Sequence, residues 1–207
     1  MSSLLILGGG GHGKVVADAA ICAAAWDNVA FADDALFGSS GPLDLQVVVR
    51  LSEFERCRAS FDSVAIGIGD NALRDLIYRR ALAAGFHLPV IVHPSAAVSR
   101  FAKLAPACVV FAQAAVNPGA SLGHACIVNT GATVDHDCEI AEAVHLSPGA
   151  HLAGCVRIGA RAWIGVGASI RPGIAIGAGA TVGAGSVVVK DVDAASVVYG
   201  VPAKVRT

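Results

Sequence analysis

The sequence predicts an α/β domain with a parallel sheet over residues 1–92, followed by an all-β parallel β-helix over residues 93–207. Three observations carry this. A glycine-rich turn, Gly8-Gly9-Gly10-Gly11-His12-Gly13, follows a short apolar run. Strand-like and helix-like segments alternate for about ninety residues. From Val98 onward an aliphatic residue recurs at every sixth position without interruption.

The first part reads in order as follows. Leu4–Leu7 is a short apolar run and predicts a buried strand. Gly13–Ala25 is alanine-rich and predicts a helix, and Val29–Ala32 a second strand. Ser52 is placed to cap a helix running to about Ser60, with Val64–Ile68 as the next strand. Asp70 is placed to cap a helix over Ala72–Ala84, and Leu88–Val92 closes the series as a strand. Alternation of this kind implies parallel strands covered by helices. The length suffices for only half of a dinucleotide-binding fold.

The second part has a different grammar. Val98, Leu104, Val110, Val116, Leu122 and Val128 begin a series that continues to Val188, and every member is Val, Leu or Ile. Four residues after each comes a second, mostly small residue, such as Ala102, Cys108, Ala114, Ala120 and Cys126. Six residues is neither a helix period nor a simple strand period. It is the signature of a β-helix in which each hexad forms one flat side and three hexads make a coil. The aliphatic residue points into the prism, the small one packs beside a corner, and coils stack about 4.8 Å apart. No insertion interrupts the series, so no long loop protrudes. Lys190–Thr207 falls out of phase and is expected to cap the stack.

Composition narrows the function. Of 207 residues, 55% are hydrophobic and 15% charged, which is too apolar for disorder and implies surface buried against copies of itself. A formal net charge of −1 gives no field for nucleic acid or anionic membrane. No uncharged apolar run reaches the roughly 18 residues of a membrane span, and the N-terminal apolar run is too short for a signal peptide. These features predict a cytoplasmic protein, and the six cysteines, which lack CxxC spacing, are expected to be free thiols.

Gly8, Gly10 and Gly13 satisfy G-x-G-x-x-G between strand and helix, and Asp33 lies twenty residues beyond Gly13. Backbone N–H groups at such a helix start cradle phosphate, and the carboxylate takes a ribose hydroxyl. The missing second mononucleotide half and the β-helix partner argue against NAD. The same loop serves the diphosphate of a sugar nucleotide, and a purely structural turn is the third reading.

The unbroken hexads and the ending Val187–Val192 with Gly200-Val201-Pro202-Ala203-Lys204 resemble the left-handed β-helix acyltransferases of the hexapeptide-repeat superfamily. With the front segments Gly8–Gly13, Phe31-Ala32-Asp33-Asp34, Ile68-Gly69-Asp70-Asn71 and Arg74, the chain resembles the nucleotide-sugar N-acetyltransferases of bacillosamine, perosamine and sialic acid type. The resemblance implies a Rossmann-like front domain, a left-handed helix, a homotrimer, and acetyl-CoA as co-substrate without a metal. It implies that Gly10, Gly11, His12 and Gly13 hold the nucleotide, with His12 near the phosphates and Asp33 and Asp34 near the base or ribose. For Asp34 a turn role is an equal alternative.

Acetyl transfer to an amine or hydroxyl needs a base beside the nucleophile. His136 lies two positions after the inward Val134 and is expected to point outward. The resemblance makes it the general base, with Asp137 orienting it. Adjacent strand residues normally face opposite sides, so this pairing requires a corner, and Asp135 is a rival partner. The resemblance places His145 beside the thioester; a hydrogen bond at a trimer interface is the alternative. By the same analogy Gly154, Val166 and Ala184 line the acetyl-CoA groove, though such glycines also serve tight corners. Cys108, Cys126 and Cys138 occupy small inward positions and are expected to be inert, favouring direct transfer over an acyl-enzyme.

The leading expectation is therefore acetylation of the 4-amino group of a nucleotide-diphosphate-linked sugar. The alternatives are sugar O-acetylation, as in the sialic acid type, and a non-catalytic sugar-nucleotide-binding trimer. A zinc enzyme on the same helix, like the γ-type carbonic anhydrases, needs closely spaced histidines, which His124, His136, His145 and His151 are not.

Overall fold

The structure, a computed structural model, describes residues 2–206. The chain divides into two compact units, residues 1–94 and 95–207.

In the first unit β1 (Ser3–Leu7), β2 (Asn28–Ala32), β3 (Val47–Val49) and β4 (Ser63–Ile66) form a parallel sheet in the order β3-β2-β1-β4. β1 is buried along its whole length, as its run of Leu and Ile demands. Helix α1 (Gly11–Ala23) follows β1 and buries Gly13, Val16, Ala17, Ala19 and Ala20. Helix α2 (Asn71–Ala83) follows β4, and Asp70 caps it by accepting a hydrogen bond from the Leu73 N–H at 2.8 Å. The chain moves from β1 outward to β2 and β3, then crosses to β4 on the other side. The strand order thus reverses between β1 and β4, and ligands of open α/β sheets bind beyond the strand C-termini at such a reversal. The connections there are Gly8–Gly10, leading into the start of α1, and Gly67–Asp70.

Several local expectations need correction. Ser52 does not cap its segment: Leu51–Ala59 is 3-10 helix with Arg50 at its start, and Ser52 instead donates to Asp34. The strand read over Val64–Ile68 ends at Ile66, because Gly67 and the residues after it form the loop beside Gly8. Leu88–Val92 supplies only a two-residue strand, Ile91–Val92, which is not part of this sheet. The short β3 was not read from the sequence.

In the second unit two-residue strands recur at each hexad from Ala97–Val98 to Val187–Val188. As far as Ser169–Ile170 they pair in parallel with the strand eighteen residues later, such as Thr133 with His151 and Val134 with Leu152. Three flat sides result. One carries Thr133–Val134, the next Glu139–Ile140 and the third His145–Leu146. From Val110 to Val188 the sixth-position aliphatic residues are buried; Val98 and Leu104, in the first coil, are half-buried. Every sixth residue from Ala107 to Gly185 has a positive φ, so each coil turns through left-handed residues at its corners. Ala107, Gln113, Ala125, Asp137, Ala143, Cys155 and Arg161 adopt it without being glycine, at roughly 1–2 kcal/mol each. Stacked backbone hydrogen bonds and the buried aliphatic column offset that strain.

The stack does not stop at Lys190. Its period shortens, so that Val192 pairs with Ile176 and Val197 with Thr181, and Ala203–Val205 then folds back antiparallel on Val197–Gly200. Thr207 of the expected cap lies outside the described residues. No helix among the described residues is long and apolar enough to cross a membrane.

Candidate active site

His136 and Asp137 occupy the corner between the side bearing Thr133–Val134 and the side bearing Glu139–Ile140. Neighbouring coils lock this corner. Asp137 N–H donates to the Pro118 carbonyl below, and the His136 carbonyl accepts from Cys155 N–H above at 2.9 Å. Asp137 is left-handed, with φ 57°, and this turns its carboxylate toward its neighbour. His136 Nδ1 and Asp137 Oδ2 lie 2.9 Å apart, and both side chains are exposed. Asp135 is not the ring's partner. Its carboxylate accepts from the His136 backbone N–H at 2.7 Å and from Asn117 Nδ2 at 2.9 Å, bracing the corner.

The hydrogen bond that His136 donates to Asp137 and the charge of Asp135 raise the His136 pKa above the ordinary 6.5. With Nδ1–H donated to Asp137, Nε2 carries the free lone pair. Gly154 lies against that nitrogen: an added Cβ there would stand 2.5 Å from Nε2. A Cβ at Gly119, one coil below, would collide with the Asp137 carboxylate. Both glycines therefore make room for the pair. Gly154 sits beside the histidine and does not line the recess that holds Val166 and Ala184.

That recess, about 260 Å³, is formed on the third side and its adjoining corner by Ser147, Trp163, Val166, Thr181 and Ala184. Trp163 is half exposed and donates from Nε1 to Ser147 Oγ at 2.7 Å. Its indole stacks on the His145 ring at a centroid distance of 5.6 Å and an interplanar angle of 4°. His145 is buried, and Asn129 Nδ2 donates to its Nε2 at 3.1 Å. His145 thus supports the tryptophan that walls the recess. One full side of the prism separates this recess from His136 within a single chain. A larger open recess, about 690 Å³, lies on the side carrying Glu139 and Arg157, and none of the sequence-nominated residues lines it.

In the first unit a cavity of about 390 Å³ is bounded by Gly9, Gly10, Gly11, Lys14 and Leu36. Gly10 precedes α1 without a side-chain cap, and no acidic residue occupies the first turn, so the helix start presents N–H groups and partial positive charge. Gly13 is buried and serves packing: a Cβ there would collide with the Gly8 carbonyl. Asp33 binds the loop, accepting from Gly9 N–H at 2.7 Å and from Ala35 and Leu36 N–H. The Asp34 carboxyl is held below its usual range by hydrogen bonds from the backbone and hydroxyl of Ser52. Burial and the Arg74 charge push the His12 pKa down to about 4, so its ring is neutral near pH 7. Arg74 itself is buried and donates to the Ile68 and Gly69 carbonyls and to Asn71 Oδ1.

Cys108, Cys126 and Cys138 are buried, each with its thiol near a backbone carbonyl of the next coil, and all six cysteines are free. Lys14, Trp163, Asn117 and Cys155 were not singled out from the sequence. Trp163 had a readable signal, an aromatic residue at an outward position beside an inward isoleucine. The others gain their places only from coil stacking or from the loop.

Residues 3–81 match the PglD N-terminal domain family, and residues 155–190 match the bacterial transferase hexapeptide family, with six repeats. The acetyltransferase domain of PglB from Neisseria gonorrhoeae, solved with acetyl coenzyme A, is 41% identical. The match covers 99% of this chain and 98% of that one, with a TM-score of 0.95. The chain belongs to the hexapeptide-repeat nucleotide-sugar N-acetyltransferases, enzymes that use acetyl-CoA. Another member, PerB from Caulobacter crescentus, solved with CoA and GDP-perosamine, is 39% identical over 100% of this chain and 98% of that chain, at a TM-score of 0.93. WeeI from Acinetobacter baumannii is 26% identical over 100% of both chains, at a TM-score of 0.88. A search of curated proteins gave no match. Family membership brings the left-handed sense of the β-helix.

Proposed function

We propose that this chain moves the acetyl group of acetyl-CoA onto the 4-amino group of a nucleotide-diphosphate-linked amino sugar, with His136 as general base. The observation that carries this is the His136–Asp137 pair, fixed at a corner with its Nε2 facing the side-chain-free surface of Gly154. The amine lone pair attacks the thioester carbonyl and a C–N bond forms. His136 Nε2 takes the proton shed by that nitrogen. The C–S bond then breaks, and the imidazolium returns the proton to the departing CoA sulfur. Asp137 holds the Nδ1–H tautomer and stabilises the imidazolium between these steps. Buried, apolar-lined cysteines leave no nucleophile for an acyl-enzyme among Cys108, Cys126 and Cys138.

The front unit supplies the acceptor's nucleotide. Gly10 and Gly11 at the start of α1, with Lys14, suit the diphosphate, and we assign Asp33 and Asp34, which follow β2, to the side of base and ribose. His12, being neutral, contributes hydrogen bonding there and no charge. Gly13 shapes the loop. The recess of Trp163, Val166 and Ala184 suits the pantetheine arm, and His145 positions its wall. The relatives solved with acetyl-CoA, and with CoA and GDP-perosamine, support this reading. Two variants of the Caulobacter enzyme, each with one histidine replaced, were also solved with CoA and GDP-perosamine. Since one side of the prism separates recess and base, a homotrimer that sets the recess of one copy against the His136 corner of the next completes the site.

The test is acetyl transfer, measured by product mass, against UDP-, GDP- and dTDP-linked 4-amino sugars and hydroxylic sugar acceptors. Transfer to an amino acceptor is expected. His136→Ala should lower turnover by about 10²–10⁴-fold while CoA binding persists. Transfer only to hydroxyls, or an active His136→Ala variant, overturns the reading.

A further inference from the structure

We propose that His136, Asp137 and Cys155 form a binding site for a borderline-soft divalent ion such as zinc, and that its occupancy switches the transferase off. The site stands on geometry. Cys155 lies one coil above Asp137, and both occupy left-handed corner positions, with φ of 60° and 57°. The hydrogen bond from Cys155 N–H to the His136 carbonyl, 2.9 Å, ties the backbone of the cysteine to that of the histidine. One ligand atom from each of the three side chains lies within 4.8 Å of the others, and all three residues are exposed.

The donor set selects the ion. Imidazole nitrogen, carboxylate oxygen and thiolate sulfur together suit zinc, whereas magnesium and calcium take oxygen ligands. Zinc holds such donors at about 2.0–2.3 Å in a tetrahedron, which places the donor atoms roughly 3.3–3.8 Å apart. His136 Nδ1 and Asp137 Oδ2, at 2.9 Å, must part slightly, and the widest separation in the group must close by at most about 1.5 Å, both within the rotamer freedom of exposed side chains. Three protein ligands leave the fourth position to water. Binding displaces the thiol proton to solvent and draws the imidazole into the coordination sphere. The histidine that the proposed mechanism uses as a base is then no longer available to accept the amine proton. The inhibitory half of this proposal rests on the transferase reading; the ion site does not.

The test uses the full chain with Cys22→Ser as background, which removes the other exposed cysteine. Cobalt(II) is the spectroscopic probe and zinc the inhibitor. Cobalt is expected to give a thiolate-to-metal charge-transfer band at one equivalent per chain. Zinc should abolish the band, and Cys155→Ser should lack it. Zinc should inhibit acetyl transfer over the range in which it displaces cobalt. The Cys155→Ser variant should resist zinc by about 10–100-fold with unchanged metal-free turnover. Transfer must be read by product mass, because free CoA thiol competes for zinc. Absence of the cobalt band, or equal zinc sensitivity with and without Cys155, overturns the proposal. A metal-free protein that acetylates no acceptor overturns the transferase reading and with it the inhibitory half, while the cobalt band decides the ion site either way.

Discussion

His136 Nδ1 and Asp137 Oδ2 meet at 2.9 Å although the residues are sequence neighbours, because Asp137 adopts a left-handed backbone with φ 57°. In an extended strand the two side chains would diverge. The corner makes them partners, and the partnership raises the histidine pKa. A base must be deprotonated, so the raised pKa moves the acid limb of kcat/KM to higher pH. Asp137→Asn removes the charged acceptor. The acid limb should then shift to lower pH and turnover should fall, as read from pH–rate profiles of the two proteins.

Gly154→Ala tests placement without touching the ionisable groups. The new Cβ would stand 2.5 Å from Nε2 and 2.6 Å from Cε1 of His136, so the ring must move. Displacing a base by about 1 Å costs on the order of 10²-fold in rate. The variant should lose about that much in kcat, with a melting temperature close to wild type because the ring it pushes is exposed.

Trp163→Ala should act on the donor and not on the chemistry. The indole walls the recess on one side and stacks on His145 below it. An aromatic contact of this kind contributes about 0.5–1.5 kcal/mol, corresponding to a rise in KM for acetyl-CoA of roughly 2–13-fold. The kcat should change less than KM, and Trp163→Phe should recover part of the loss.

His12 predicts a stability slope. Its folded pKa of about 4 lies below the unfolded value of 6.5, so between these the unfolded chain binds a proton that the folded chain refuses. The folded state therefore keeps the full contribution above about pH 6.5 and loses it as pH falls toward 4. The loss amounts to at most about 3 kcal/mol. Urea midpoints at a series of pH values should fall more steeply for the wild type than for His12→Gln over that window.

Periodicity made the β-helix legible because one aliphatic residue per hexad is the minimum needed to fill a prism, and the chain departs from it nowhere between Val98 and Val188. The turn at Gly8–Gly13 was legible for a similar reason, since the close approach of Gly13 to the Gly8 carbonyl admits no side chain. Short or local choices were less so. Ser52 looks like a helix cap, but its hydroxyl is drawn to Asp34, and the segment after it winds more tightly. The strand Val47–Val49 is three residues long and follows an irregular stretch, leaving no period to detect. At the site, His136 was visible from its motif. The bracing by Asn117, the space left by Gly119 and Gly154, and the proximity of Cys155 depend on which residues stack across coils. Gly154 resembled any corner glycine until its neighbour was known.

Because the hexads around the His136 corner pair with those eighteen positions away, the height of a functional group there is set in whole rungs of about 4.8 Å. A base on such a ladder cannot be nudged by a fraction of that spacing through small insertions, since one added residue would turn each following aliphatic side chain out of the prism. On the proposed reading, adjustment at this corner falls on side-chain length, and the ladder holds the base at a fixed height.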